Sequence, residues 1–168
     1  MKVAVFPGSF DPVTKGHISV VNRGVEIFDR IIVAVAANLS KKETFTLEER
    51  VGILQEIFAD RPEVTVDCFD GLLVDYVKSR GTNILLRGLR TVSDFEYELR
   101  MALANKTLCP DVETVFLVTE SIYGHISSSL IKEIVRLGGS VSEMVPELVE
   151  RKLREKLLGA RSEVKCKR

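Results

Sequence analysis

This sequence predicts a doubly wound α/β fold, with a five-stranded parallel sheet and helices on both faces. Three observations carry that expectation. Apolar, β-branched runs recur at 3–6, 31–37, 64–68, 83–87 and 114–118, separated by amphipathic stretches long enough for helical crossovers. Two of those runs, 31–37 and 83–87, are apolar almost throughout, as strands covered on both faces read. Two of the intervening segments open with a hydroxyl residue followed three positions later by Glu, the pattern of a helix capping box.

Taken in order, strand 3–6 (Val-Ala-Val-Phe) runs into Pro7-Gly8-Ser9-Phe10-Asp11-Pro12, a string of turn formers. A helix over 18–28 follows Thr14-Lys15-Gly16-His17. Strand 31–37 leads to a polar loop with Ser40, Lys41 and Lys42, and helix 47–59 opens on the box Thr46-Leu47-Glu48-Glu49. Strand 64–68, helix 73–79 and strand 83–87 come next. Helix 92–108 carries the second box, Ser93-Asp94-Phe95-Glu96. Strand 114–118 precedes helix 128–137, and a Gly138-Gly139 break separates it from a last helix over 146–158. Right-handed crossovers complete the expected topology. One domain spans 1–158, and the charged tail 159–168 is expected to be frayed.

The bulk numbers bound the function. A chain of 168 residues buries roughly two thirds of its unfolded surface as one domain, so it folds without disulfides or a structural metal. Lys plus Arg and Asp plus Glu are both 24, so no whole-protein basic field for nucleic acid exists and any anion site is built locally. Cys68, Cys109 and Cys166 are too scattered for a zinc cluster and suit reduced thiols. The short apolar run before Pro7 is no signal peptide, and nothing approaches the ~20 apolar residues of a membrane span. A soluble, cytoplasmic protein is expected.

The polar residues collect after the strands: Gly8, Ser9 and His17; then Lys41 and Lys42; then Gly71 and Leu72; then Arg87, Gly88 and Arg90; then Ser121, Tyr123, Gly124 and Ser127-Ser128-Ser129. Strands of a parallel sheet share one carboxyl edge, so these residues converge, and that edge is where open α/β sheets bind ligands. His17, beside Gly16 at a helix start, is placed to donate to a phosphate oxygen, or is simply held by the backbone. Arg87 and Arg90 bracket Gly88 as a pair of guanidinium forks for phosphate, or as partners of Asp94, Glu96 or Glu98. Glu98 either orients an arginine or a Mg²⁺-bound water, or bridges at the surface. Three serines opening one helix suit phosphate or ribose, although one of them is needed as the cap. Leu72, Leu73 and Tyr76 read as core or pocket wall, Lys41 and Lys42 as solvated surface when taken alone, and His125 as an exposed loop residue. No P-loop, G-x-G-x-x-G or kinase signature is present. Without a nucleophile–base pair, the site suits direct displacement governed by positioning and charge.

Six segments together carry a resemblance: residues 7–12, 14–17, Phe45-Thr46-Leu47-Glu48-Glu49-Arg50, Arg87-Gly88-Leu89-Arg90, Asp94-Phe95-Glu96-Tyr97-Glu98 and Ile126-Ser127-Ser128-Ser129. Across about residues 3–150 the chain resembles the bacterial phosphopantetheine adenylyltransferases, in the T/H-x-G-H nucleotidyltransferase superfamily with its Rossmann-like fold. The 87–98 block narrows the resemblance to that family; the first two segments alone mark only the superfamily. The resemblance implies transfer of AMP from ATP to 4′-phosphopantetheine, giving dephospho-coenzyme A and pyrophosphate. It implies that His17 stabilises the transition state. It implies an ATP site of Ser9, Phe10, His17, Gly88, Leu89, Arg90, Glu98, Tyr123, Gly124, His125, Ile126, Ser127, Ser128 and Ser129. Ser9, Lys41, Leu73, Arg87 and Asn105 are implied for the phosphopantetheine site. Mg²⁺ with ATP but without direct protein ligands, a homohexamer, and inhibition by product or coenzyme A are implied as well. Ser9 stands where Thr is also found, and His125 where an aromatic such as Phe is expected. Two alternatives compete at this point: a sister adenylyl- or cytidylyltransferase with another acceptor, and a non-catalytic nucleotide-binding module.

Overall fold

The computed structural model describes residues 1–37 and 43–159. Lys41, Lys42 and the tail from residue 160 onward lie outside the described residues. Strands β1 (Val3–Gly8), β2 (Arg30–Ala36), β3 (Val64–Phe69), β4 (Ile84–Leu89) and β5 (Glu113–Val118) form one parallel sheet in the order β3-β2-β1-β4-β5. Helices α1 (Lys15–Gly24), α2 (Leu47–Ile57), α3 (Leu73–Ser79), α4 (Val92–Leu108), α5 (Ser128–Arg136) and α6 (Glu147–Leu158) connect and cover it, with a 3-10 turn at Ser121–Tyr123.

Strand alternation divides the core. Ala4, Phe6, Ile31, Val33, Val35 and Leu86 face one side, where α1, α2, α5 and α6 supply Val20, Leu54, Ile131 and Leu153. Val5, Ile32, Ala34 and Leu85 face the other, against Val74, Tyr76 and Val77 of α3. Being apolar on both faces is what the uninterrupted runs in β2 and β4 require.

Chain order reverses at the seam between β1 and β4. β1 pairs with β2 through six residues, from Val3↔Arg30 to Gly8↔Val35, whereas its register with β4 is the single pair Val5↔Leu85. Pro7, expected in a turn, belongs to the strand. It has no N–H to continue a ladder, and its carbonyl accepts from Arg87 Nη1 instead. The two strands therefore part at their carboxyl ends.

The helix boundaries follow their caps. The box at Thr46 forms: Glu49 N–H donates to Thr46 Oγ1 (3.3 Å) and Thr46 N–H to Glu49 Oε2 (2.8 Å). The second expected box does not form. Thr91 is the N-cap of α4, accepting from Asp94 N–H at 3.2 Å, while Ser93 lies inside the helix. α1 begins three residues earlier than expected, because Thr14 caps it. α5 ends in a Schellman motif: Gly139 N–H donates to Ile134 O and Gly138 N–H to Val135 O, both at 2.9 Å, with Gly138 at φ 88°.

Two glycines thereby predict opposite outcomes. Gly138→Ala places a Cβ in the left-handed region and should lower stability by ~1 kcal/mol. Gly52→Ala, exposed within α2 with open space around the new Cβ, should raise it by about 0.5–1 kcal/mol. Urea unfolding of the two variants beside the parent checks both signs.

Candidate active site

The parting of β1 and β4 opens a cavity of ≈ 320 Å³ at the carboxyl edge, and a second of ≈ 210 Å³ adjoins it. Pro7, Gly8, Ser9, Arg87 and Glu98 line both. The first is polar, with His17, Arg90 and Ser127–Ser129 around it. The second is largely apolar, walled by Phe69, Leu73, Leu85, Met101 and Ala102, with Asn105 as a buried polar group.

The wall between them is an ion pair. Arg87, on β4, is bidentate to Glu98 of α4: Nε donates to Oε2 at 2.6 Å and Nη2 to Oε1. Glu98 is buried, and such a fork fixes the guanidinium plane. Arg90, three residues on, donates to Asp94 (Nε to Oδ2 at 2.8 Å) and to the Ile126 carbonyl, tying α4 to the segment before α5. The two arginines thus bridge to the next helix and also face the cavity. Between them, Gly88 lets α1 lie against β4: a Cβ there would fall 2.9 Å from Val20 Cγ2.

His17 is the third residue of α1, and its ring closes a capping box of an uncommon kind. Thr14 N–H donates to Nδ1 at 3.0 Å, and His17 N–H to Thr14 Oγ1 at 3.2 Å. Nδ1 is therefore the acceptor, which assigns the neutral ring's proton to Nε2. Phe10 packs edge-on against the ring, with centroids 5.2 Å apart. Burial pushes the imidazole pKa down to about 4, and the charges of Arg90 and then Arg87 add to the effect. The site thus holds a neutral N–H donor near two cations.

The three serines divide. Ser127 caps α5, accepting from Leu130 N–H at 3.2 Å; Ser128 Oγ donates to the Pro12 carbonyl at 2.8 Å; Ser129 is exposed at the cavity. Ile126 is buried beside them. Leu89, Tyr123, Gly124 and His125 do not line either cavity. Leu89 ends β4, and Tyr123 borders a separate small hollow with Lys15 and Arg23. Gly124 backs onto the Ser121 and Arg90 carbonyls, and His125 is exposed.

Asp11 and Arg50 received no role from sequence reasoning. The Asp11 carboxylate accepts from Thr44 N–H (3.0 Å), Phe45 N–H (2.9 Å) and Lys132 Nζ (2.9 Å). Burial pushes its pKa up, but the Thr44 N–H, Lys132 and the Phe45 N–H outweigh it and hold the group below the usual carboxylate range. Arg50 is buried and donates to the Ser9 carbonyl at 2.8 Å. The Lys132 partner of Asp11 and the Ser9 partner of Arg50 are distant in sequence; the one local signal was a carboxylate, Asp11, within a turn-forming stretch, and Arg50, following Glu48 and Glu49, had none.

α4 is inverted relative to an ordinary surface helix. Its buried residues are Glu98 and Asn105, while Val92 (79% exposed), Leu103 (60%) and Leu108 (59%) face outward. Among the described residues no helix is long and apolar enough to cross a membrane.

Comparison with known proteins bears on this arrangement. Residues 5–134 match the family described as cytidylyltransferase-like. The chain is 54% identical over 149 residues to the phosphopantetheine adenylyltransferase of Alkaliphilus metalliredigens, covering 89% of this chain and 95% of the relative. It is 54% identical over 156 residues to that of Caldanaerobacter subterraneus (93% and 98%), and 55% identical over 153 residues to that of Dictyoglomus thermophilum (91% and 93%).

A depressed imidazole pKa makes stability pH-dependent. Between about pH 6.5 and 4 the unfolded chain takes up a proton at His17 that the folded chain does not. Stability therefore falls as pH drops through that window. His17→Gln should flatten that part of the Tm–pH curve, measured by calorimetry. Nitrogen NMR of the free protein at pH 6 should show a neutral ring protonated at Nε2.

Proposed function

The chain belongs to the cytidylyltransferase-like family and, within it, to the phosphopantetheine adenylyltransferases, and from that premise we propose how its two cavities carry out the reaction. It is a nucleotidyltransferase of coenzyme A biosynthesis. The observation that carries the proposal is the meeting of a polar and an apolar cavity at Ser9, Arg87 and Glu98. One reactant is a polyanion, and the other joins a phosphate to a long, weakly polar arm. ATP occupies the polar cavity. The pantetheine arm lies along Leu73, Met101 and Asn105, with its phosphate at the shared wall.

The transfer is an in-line displacement without a covalent intermediate. An oxygen of the acceptor phosphate forms a bond to the α-phosphorus. The bond from that phosphorus to the β-bridging oxygen breaks, and pyrophosphate leaves with the electron pair. The attacking phosphate is already ionised, so no general base is required. Both reactants are anions, so charge and orientation are the chief obstacles. Arg87 and Lys41 hold the acceptor phosphate; Arg90 and the amino end of α5, with Ser127–Ser129, hold the β- and γ-phosphates. His17 donates from Nε2 to the α-phosphate as negative charge gathers there. Being neutral, it attracts the ground-state anion less than a cation does and acts mainly where charge develops. Of the other residues expected around the nucleotide, Ile126 lines the polar cavity, whereas Leu89, Tyr123, Gly124 and His125 do not.

Mg²⁺ is proposed to enter with ATP. Among the described residues no group of three or more His, Cys, Asp or Glu is placed to hold a metal, and Asp94 and Glu98 are each engaged by an arginine. The ion would be held through phosphate oxygens of ATP, and the charge it neutralises there would ease approach of the acceptor. The outward apolar side chains of α4 support burial against further copies of this chain, in a homohexamer. Inhibition by product or coenzyme A, and a cytoplasmic location, belong to the same reading.

The deciding assay is pyrophosphate release with ATP and Mg²⁺, comparing 4′-phosphopantetheine with nicotinate mononucleotide as acceptors. Release with the first alone is expected; release with the second alone would refute the acceptor, and no release with either would refute the reaction. In the same assay His17→Ala should lower kcat by ~10²–10³ with little change in ATP affinity.

Sedimentation should give a hexamer for the parent and a smaller species for Leu103→Glu. A monomeric parent at micromolar concentration would refute the assembly.

A further inference from the structure

Arg50 lines neither cavity, yet it is only 1% exposed. It sits in the first turn of α2 and reaches back to the carboxyl edge of the sheet. Nη1 donates to the Ser9 carbonyl (2.8 Å), just beyond β1, and to the Ala36 carbonyl (3.1 Å), at the end of β2. Nε donates to the Thr46 carbonyl (3.3 Å) and Nη2 to the Glu43 carboxylate. One planar fork therefore joins two strand ends to the start of a helix, and Glu43 balances its charge.

The bond to Ser9 has a geometric consequence. The Ser9–Phe10 peptide is trans, so its N–H points opposite to its C=O. With the carbonyl turned toward buried Arg50, the Phe10 N–H is turned the other way. Phe10 has φ 48°, the left-handed region that a non-glycine residue rarely adopts. Rotating this peptide plane would return Phe10 to ordinary φ, and would also take the carbonyl away from Arg50 and reverse the N–H. The Phe10 ring is held meanwhile by Phe6 (centroids 5.6 Å apart) and by His17. Ser9, Phe10 and His17 all line the polar cavity.

We propose that Arg50 is a positioning residue for the transfer reaction: by holding the Ser9 carbonyl it locks the Ser9–Phe10 peptide so that the Phe10 N–H, beside His17, faces the phosphoryl group being transferred. This rests on the adenylyl-transfer reading given above. Arg50 touches neither substrate; it acts through a main-chain donor. An ammonium group at this position lacks the planar fork that spans Ser9, Ala36 and Glu43 together, so Arg50→Lys keeps the charge and loses the geometry.

The test measures kcat, KM and an amide resonance. Arg50→Lys, assayed well below its Tm and normalised to folded protein, should lose about 10-fold or more in kcat while KM for each substrate moves by less than about threefold. A role in stability alone would leave kcat per folded molecule unchanged, and a value within about threefold of the parent overturns the proposal. With selective ¹⁵N-phenylalanine labelling, addition of ATP and Mg²⁺ without acceptor should move the Phe10 amide proton downfield in the parent, and Arg50→Lys should lose that shift. If the variant fails to fold, the parent decides: an unmoved Phe10 amide on ATP binding overturns the proposal. A parent that releases no pyrophosphate with phosphopantetheine would instead refute the reaction, and the acceptor-free amide shift separates the two failures.

Discussion

A ladder that stops is the constraint on which the rest of this protein depends. β1 and β2 stay in register through six residues, and β4 and β5 likewise, from Ile84↔Glu113 to Leu89↔Val118. Between those two blocks, Val5↔Leu85 is the sole registered pair. Pro7 cannot donate, and the room beyond it is taken by the Arg87 side chain. A continuous ladder would have left a flat sheet edge. The interrupted one leaves two cavities with a guanidinium between them, at the topological switch point where helix amino ends and strand carboxyl ends converge.

Charge is then distributed in pairs around the site. Each described cation tied into the site has its own carboxylate: Arg87 with Glu98, Arg90 with Asp94, Lys132 with Asp11, and Arg50 with Glu43. Unpaired, such buried charges would carry a large desolvation cost. Paired, they remain fixed in direction, and Arg87 and Arg90 line the polar cavity. This is how a chain of zero formal net charge builds a site for polyanions. His17 is the counterpoint, kept neutral by burial and by the same arginines, so that it contributes a donor rather than another charge.

The inversion of α4 belongs to the same logic. Turning Glu98 and Asn105 inward places a carboxylate on Arg87 and an amide in the apolar cavity. Leu103 and Val92, well round the helix from that pair, are left outside as a consequence. A helix cannot direct both sets toward the sheet, since residues on opposite faces are separated by half a turn. The site's polarity and the exposed apolar surface are therefore two results of one helix orientation.

The sequence by itself determined the strands, their parallel arrangement and the edge at which function gathers. Those properties follow from local composition: β-branched apolar runs, helix-length intervals, and polar residues placed after each run. The box at Thr46 was legible for the same reason, because all its atoms lie within four residues. Tertiary structure decided what depends on distant partners. Ser93 and Thr91 are both competent caps, and only the path of the chain into α4 selects Thr91, the residue with extended backbone. Asp11 finds Lys132 at a sequence distance of 121, and Arg50 finds Ser9 at 41; no periodicity encodes either. The protonation of His17 was the most divided case. Its position was readable from Thr14-Lys15-Gly16-His17, but its depressed pKa depends first on burial of the ring and then on Arg90 and Arg87, brought across the β1–β4 seam. Electrostatic energy depends on separation and burial, which chain order does not specify before the chain is folded.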